Sequence, residues 1–154
     1  MRRALLLACV VPVAAVAALR AFAPPPPAGP GPGRAAAGDA PPPHVVVTIP
    51  DWLPFGGATV GRRVFLKARQ QVPWSLGHEL VHVRQQAEHG AWFWVSYLAL
   101  PEWRLRWEAE AWAVNARAGS PVDGDRGIAA YLSGPAYLWV ASREEAAAAV
   151  RAWR

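Results

Sequence analysis

The sequence predicts an α+β domain in which a small N-terminal sheet or hairpin precedes a bundle of about four to five helices. The β-branched and glycine-punctuated runs are confined to residues 45–67. From Pro73 onward the chain is made of helix-length segments bounded by Pro, Gly or a capping sequence. Strands in one run and helices in the next is the signature of a segregated α+β fold, not of alternating βα units. A length of 154 residues allows one domain with one core.

Ahead of that domain, residues 1–23 read as an export signal or signal anchor. Arg2 and Arg3 are followed by an uncharged run from Ala4 to Leu19 and then by Arg20. That run of sixteen residues is shorter than the roughly twenty that span a bilayer, although a snorkelling Arg20 would extend it through Ala23. Arginines before the apolar run place the N-terminus inside and the bulk of the chain outside, so the expected location is exported, either membrane-anchored or secreted. Residues 24–44 are rich in Pro and Gly, including the triplet Pro41 to Pro43, and form a semi-rigid linker with no core of its own. The domain proper is residues 45–154.

Val45-Val46-Val47-Thr48-Ile49 is a strand ended by Pro50. Pro54 to Lys67 reads as two further short strands around a turn at Gly61, giving a small antiparallel sheet with an exposed edge able to hold an extended peptide by backbone pairing. Pro73-Trp74-Ser75 opens a helix with Ser75 as its N-cap, running to about Gly90. Residues 91–100 are uncharged and apolar on every face until Pro101. Such a helix is buried or meets lipid, and ten residues are too few to span a membrane, so burial is the default expectation. Pro101 to Arg117 is the next long helix, with Gly119 as its stop signal. A short helix near Asp125 to Leu132 follows, and Ser142 with Glu145 forms a capping box for the last one.

The net charge of +5 falls to about +2 once Arg2, Arg3 and Arg20 are set aside. The remaining basic residues are scattered, without the stacking pattern of a nucleic-acid module, so no nucleic-acid partner is expected. The one cysteine, Cys9, excludes an internal disulfide framework and a thiolate metal site. Nine Trp, three Tyr and four Phe make a heavy aromatic load, most of it core.

The chemistry is concentrated in His78-Glu79-Leu80-Val81-His82. On a helix, residues four apart share a face, so both imidazoles can converge on one metal ion with Glu79 beside them. This HExxH spacing supplies two zinc ligands and a general base. A third protein ligand has to come from elsewhere. His89 lies eleven positions after His78, one too many for the metzincin pattern, and His44 sits in the linker. Glu108 and Glu110 are on a separate helix that an apolar hairpin can fold back, about 200° apart, so only one can face the metal. Their structural alternative is pairing with Arg104 and Arg106 four residues earlier.

His78, Glu79, His82 and the downstream Glu108-Ala109-Glu110-Ala111-Trp112 together resemble the gluzincin metallopeptidases, whose second helix carries Glu-x-x-Ala-Asp. The resemblance covers His78 to Asn115. It implies a zincin-like minimal domain, Zn2+ as cofactor, His78, His82 and Glu108 as ligands, and a peptide or protein substrate. Trp112 departs from the pattern, standing where those families often place an Asp that orients a ligand histidine. Asn115, seven residues after Glu108 on the same face, is the candidate replacement.

The implied reaction is hydrolysis of a peptide bond by a zinc-bound water, with Glu79 as general base. Tyr131, Tyr137 and Arg84 are the candidates for stabilising the oxyanion. The rival expectation is a zinc-binding, non-catalytic module at the cell envelope.

Overall fold

Three short strands and five α-helices follow one another in the computed structural model, which describes residues 18–21, 23, 42–120, 122, 124–137 and 141–153. Most of the leader and linker therefore lies outside the described residues. Among the described residues, no helix is long and apolar enough to cross a membrane.

The strands are β1 (Val45–Ile49), β2 (Gly57–Val60) and β3 (Arg63–Lys67), in the order β1-β3-β2. β2 and β3 form the expected antiparallel hairpin, with Val60 opposite Arg63 and Gly61 at φ 57° supplying the left-handed turn residue. β1 departs from the expected antiparallel arrangement, because it pairs parallel to β3, Val46 facing Val64. The reason lies in residues 50–56. A segment of that length, carrying Pro50 and Pro54, turns the chain round without a tight hairpin and leaves a strand's width that β3 then fills. The buried Lys67 fastens this loop, its Nζ donating to Leu53 O at 2.7 Å.

Val64 and Leu66 of β3 point inward onto Leu76, Leu80 and Val83 of helix α1 (Pro73–His89). This helix starts earlier than expected. Val72 is its extended N-cap and Pro73 occupies the first turn, so Ser75 is already helical and no side chain caps the end. Proline replaces the cap because its missing N–H would have no partner there and its φ is already helical. Gln86 of α1 clamps the hairpin, its Nε2 donating to Thr59 O at 3.0 Å and its Oε1 accepting from Gly61 N at 2.7 Å.

Gly90, at φ 54°, ends α1 and leads directly into α2 (Ala91–Ala99). α2 corrects the default expectation of burial. Only Phe93 and Ser96 are buried, whereas Trp94, Val95 and Leu98 remain 37%, 38% and 67% exposed. Arg104 closes the C-terminal end of α2, its Nε donating to Tyr97 O at 2.7 Å and its Nη2 to Leu98 O at 3.0 Å. α3 (Pro101–Arg117) packs along α1, and the bare Cα of Gly77 faces Val114 there, with space that an added Cβ would fill to 3.5 Å. α4 (Gly124–Leu132) and α5 (Arg143–Arg151) complete the bundle. They enclose a core of Ala109, Trp112, Ala113, Ile128, Leu132, Ala146, Val150 and Trp153 against α3. The capping box is present as expected, Glu145 N donating to Ser142 Oγ and Ser142 N to Glu145 Oε2.

Candidate metal centre

Helix α1 carries His78 and His82 one turn apart, and α3 brings Glu108 to face both. Candidate ligand atoms of these three side chains lie within 4.8 Å of one another, and all three are buried. His78 Nε2 is 3.4 Å from Glu108 Oε2, and His82 Nε2 is 3.5 Å from Glu108 Oε1. Two ligands at zinc's usual bond lengths in tetrahedral geometry are about 3.3 Å apart. The fit is supported further by Glu108 itself. It is 2% exposed, and its Oε2 has no hydrogen-bond partner, a costly state for a carboxylate unless a cation or a protonated imidazole sits beside it. Two imidazole nitrogens and a carboxylate oxygen form a donor set suited to zinc.

Without a metal the site holds its charge as a buried ion pair. Burial pushes the His82 imidazolium down, but the facing Glu108 carboxylate outweighs this, with smaller help from Glu79 and Gln85, and raises it to about 9. Burial pushes Glu108 up, and His82 and His78 overcome that to hold it well below the usual carboxylate range. Tyr97 and Tyr137 are both pushed up, first by burial and then by Glu108. Both phenols therefore stay protonated as donors, and Tyr97 Oη donates to Glu108 Oε1 at 2.5 Å.

Glu79 lines the same cleft. Its Oε2 accepts from Thr59 Oγ1 of β2 at 2.6 Å. Gly57 makes room for it, since a Cβ there would come within 2.6 Å of Glu79 Oε1. The cleft has a volume of about 550 Å³ and is walled by β2, by the aromatic rings of Trp74, Trp94 and Trp112, and by Tyr131 and Tyr137. β2 is an edge strand, as a peptide-holding wall requires, although its Thr59 carbonyl is taken by Gln86.

The other sequence candidates separate clearly. Glu110 is not part of the His78, His82 and Glu108 group, with Arg84 Nη2 on one of its oxygens and Gln85 Nε2 at 2.8 Å on the other. Arg84 is thereby committed to Glu110 and Glu88 and does not line the cleft, which removes it as an oxyanion donor. The pairing of Glu108 and Glu110 with Arg104 and Arg106 does not form, because Arg104 caps α2 and Arg106 lies over the Trp153 ring at 5.0 Å. Tyr131 and Tyr137 both reach the cleft, and Tyr137 Oη accepts from Trp112 Nε1 at 3.1 Å. His89 lies tilted against Trp107, centroids 4.8 Å apart, and His44 Nδ1 lies 2.9 Å from Pro42 O, both apart from the cluster.

Asn115 is buried and lines the cleft but does not serve His78. Neither His78 Nδ1 nor Asn115 Oδ1 has a hydrogen-bond partner. Trp112 instead presents its ring to His78 in an edge-on contact, centroids 5.1 Å apart.

The partner of His82 is a residue absent from the sequence-level reading. His82 Nδ1 is 2.8 Å from Gln85 Oε1, while Gln85 Nε2 donates to Trp107 O at 3.1 Å and to Glu110 Oε2. Both of those partners only accept, so the amide has one orientation and its oxygen must receive a proton from His82 Nδ1. That turns Nε2 toward Glu108, protonated in the metal-free ion pair and able to offer its lone pair to a metal ion once that proton is lost. The three-residue spacing from His82 to Gln85 was the available signal, since such residues meet on one helix face. Tyr97, also missed, was hidden inside an apolar run.

No family model, curated protein or solved structure matches this chain.

Proposed function

We propose that this chain is a small exported zinc metallopeptidase of gluzincin type, with residues 1–23 as a signal or membrane anchor. The observation that carries the reading is the convergence of His78, His82 and Glu108 beside Glu79 in one cleft. The resemblance over His78 to Asn115 adds to it. Zinc bound there supplies a Lewis acid and an acidified water. Glu79 takes the proton of the attacking water at Oε1, the oxygen not engaged by Thr59, and returns it to the leaving amine. Tyr137, which lines the cleft, is kept protonated by burial and is held by Trp112 Nε1, is the proposed donor to the developing oxyanion. An extended peptide lies along β2 with its side chains against the aromatic walls.

A second reading, a zinc-binding module without hydrolysis, is favoured by one observation, the lack of any hydrogen-bond partner on His78 Nδ1. Elemental analysis and peptide-library cleavage separate the two. The peptidase reading expects one zinc per chain, cleavage by the native protein, and loss of cleavage with retained zinc in Glu79→Gln. Zinc binding without any cleavage supports the module. A chain that binds no zinc defeats both.

A further inference from the structure

The outer face of α2 is wholly apolar, and nothing within the described residues covers it. Its two hydroxyl groups are spent inward. Ser96 Oγ donates to Phe93 O and accepts from Trp107 Nε1, both at 3.0 Å, and Tyr97 Oη goes to Glu108. What remains outside is Trp94, Val95 and Leu98, which share one face because 94 and 98 are a turn apart and 95 adjoins them. These are three of the exposed large apolar side chains of the chain, gathered on a nine-residue helix with no charge.

The leader meets the domain at this same helix. Leu19 and Ala23 pack on the cluster of Phe93, Leu100, Trp103 and Trp107, and Arg20 pairs with Glu102 at 3.3 Å. Residues 1–17 lie outside the described residues, and from Ala4 onward their sequence is uncharged. Leu19 and Ala23 thus contact the same helix that exposes Trp94, Val95 and Leu98. Arg104, bonded to two backbone carbonyls at the C-terminal end of α2, brings a cation to that end of the helix as a lipid phosphate would favour, whereas Arg20 is spent on Glu102.

We propose that α2 docks on a lipid bilayer through Trp94, Val95 and Leu98, beside the leader. The partner is a hydrocarbon surface with anionic headgroups. Tryptophan is suited to the boundary between the two, and a short amphipathic contact reinforces an apolar segment that is itself short for a span. Trp94 also lines the cleft, so the cleft opens at the membrane surface. Peptides lying at or emerging from the bilayer are then within its reach. The docking surface stands independently of the metal reading.

The test uses the full chain with Cys9→Ser, carrying one cysteine-attached fluorophore introduced by Leu98→Cys or, as a reference, by Arg151→Cys on exposed α5. The protein is bound to vesicles of phosphatidylcholine and phosphatidylglycerol with or without brominated acyl chains. Docking predicts that the label at position 98 is quenched by brominated chains several-fold more than the label at 151. A vesicle-bound chain with both labels equally unquenched would show attachment through the leader alone and overturn the proposal. A label at 98 that is already shielded from water without vesicles would show that the leader or a second copy covers the face, and would overturn it too.

Discussion

Replacing Gln85 by Met keeps length and approximate volume but removes the acceptor on His82 Nδ1 and the donor to Trp107 O and Glu110. His82 then loses the contact that sets its tautomer and ring orientation. Loss of such a partner typically costs 10- to 100-fold in metal affinity, or ~1.4–2.8 kcal/mol. The metal-free fold is also weakened, because the buried Glu110 Oε2 loses its Gln85 donor, at a cost of about 1–3 kcal/mol. Zinc affinity from chelator competition and thermal unfolding of the metal-free protein measure the two effects separately. Gln86→Met is the control, since Gln86 clamps Thr59 and Gly61 but touches neither histidine. It should lower stability and leave zinc affinity within about two-fold, a margin well under one 1.4 kcal/mol decade. If Gln85→Met binds zinc as tightly as the native chain, the positioning role of Gln85 is refuted.

Glu108→Ala should abolish zinc binding, whereas Glu110→Ala should retain it and lose about 1–3 kcal/mol by removing the carboxylate that Gln85 and Arg84 share; elemental analysis with thermal unfolding reads both. Gly57→Ala drives a methyl to within 2.6 Å of Glu79 Oε1 and 2.8 Å of Leu66 Cδ2. It should destabilise by about 1–3 kcal/mol and reduce cleavage while one zinc per chain is kept, checked by activity and metal content together. For the metal-free chain, His82 raised from 6.5 to about 9 contributes stability that is complete below pH 6.5 and lost as pH climbs through 9. Glu108, depressed from its ordinary 4.5, contributes stability that is present above pH 4.5 and lost as pH falls. The melting temperature of the metal-free protein should therefore be highest between those limits, and zinc affinity should rise with pH up to about 9 because binding must displace the His82 proton. A flat zinc affinity between pH 6.5 and 9 would contradict this ion pair.

The helices were legible wherever a boundary had a local cause. Pro101, Gly90, Gly119 and the Ser142–Glu145 box each act through their own backbone geometry or reciprocal hydrogen bonds. Strand direction was not legible, because the β-branched run at Val45 specifies extended backbone and says nothing about which neighbour it pairs with. The apolar pattern of α2 could not say whether its outer face meets protein or lipid, as both surroundings suit the same side chains. In the site, the spacing of His78, Glu79 and His82 brings all three side chains to one cleft. The choice of Glu108 over Glu110 follows from their angular separation once Arg84 and Gln85 of α1 claim Glu110. Asn115 shows the limit of such reasoning. Sharing a helix face with Glu108 brought it to the cleft but not into contact with His78 Nδ1.

Thr59 joins three parts of the molecule through one residue. Its backbone belongs to the cleft-lining edge strand, its carbonyl is held by Gln86 of α1, and its hydroxyl holds Glu79. A displacement of β2 is therefore transmitted to the carboxylate through a single hydroxyl, with α1 acting as the fixed bearing. In the proposed peptidase, the strand would therefore be both the wall a guest presses on and the support of the carboxylate that takes the proton.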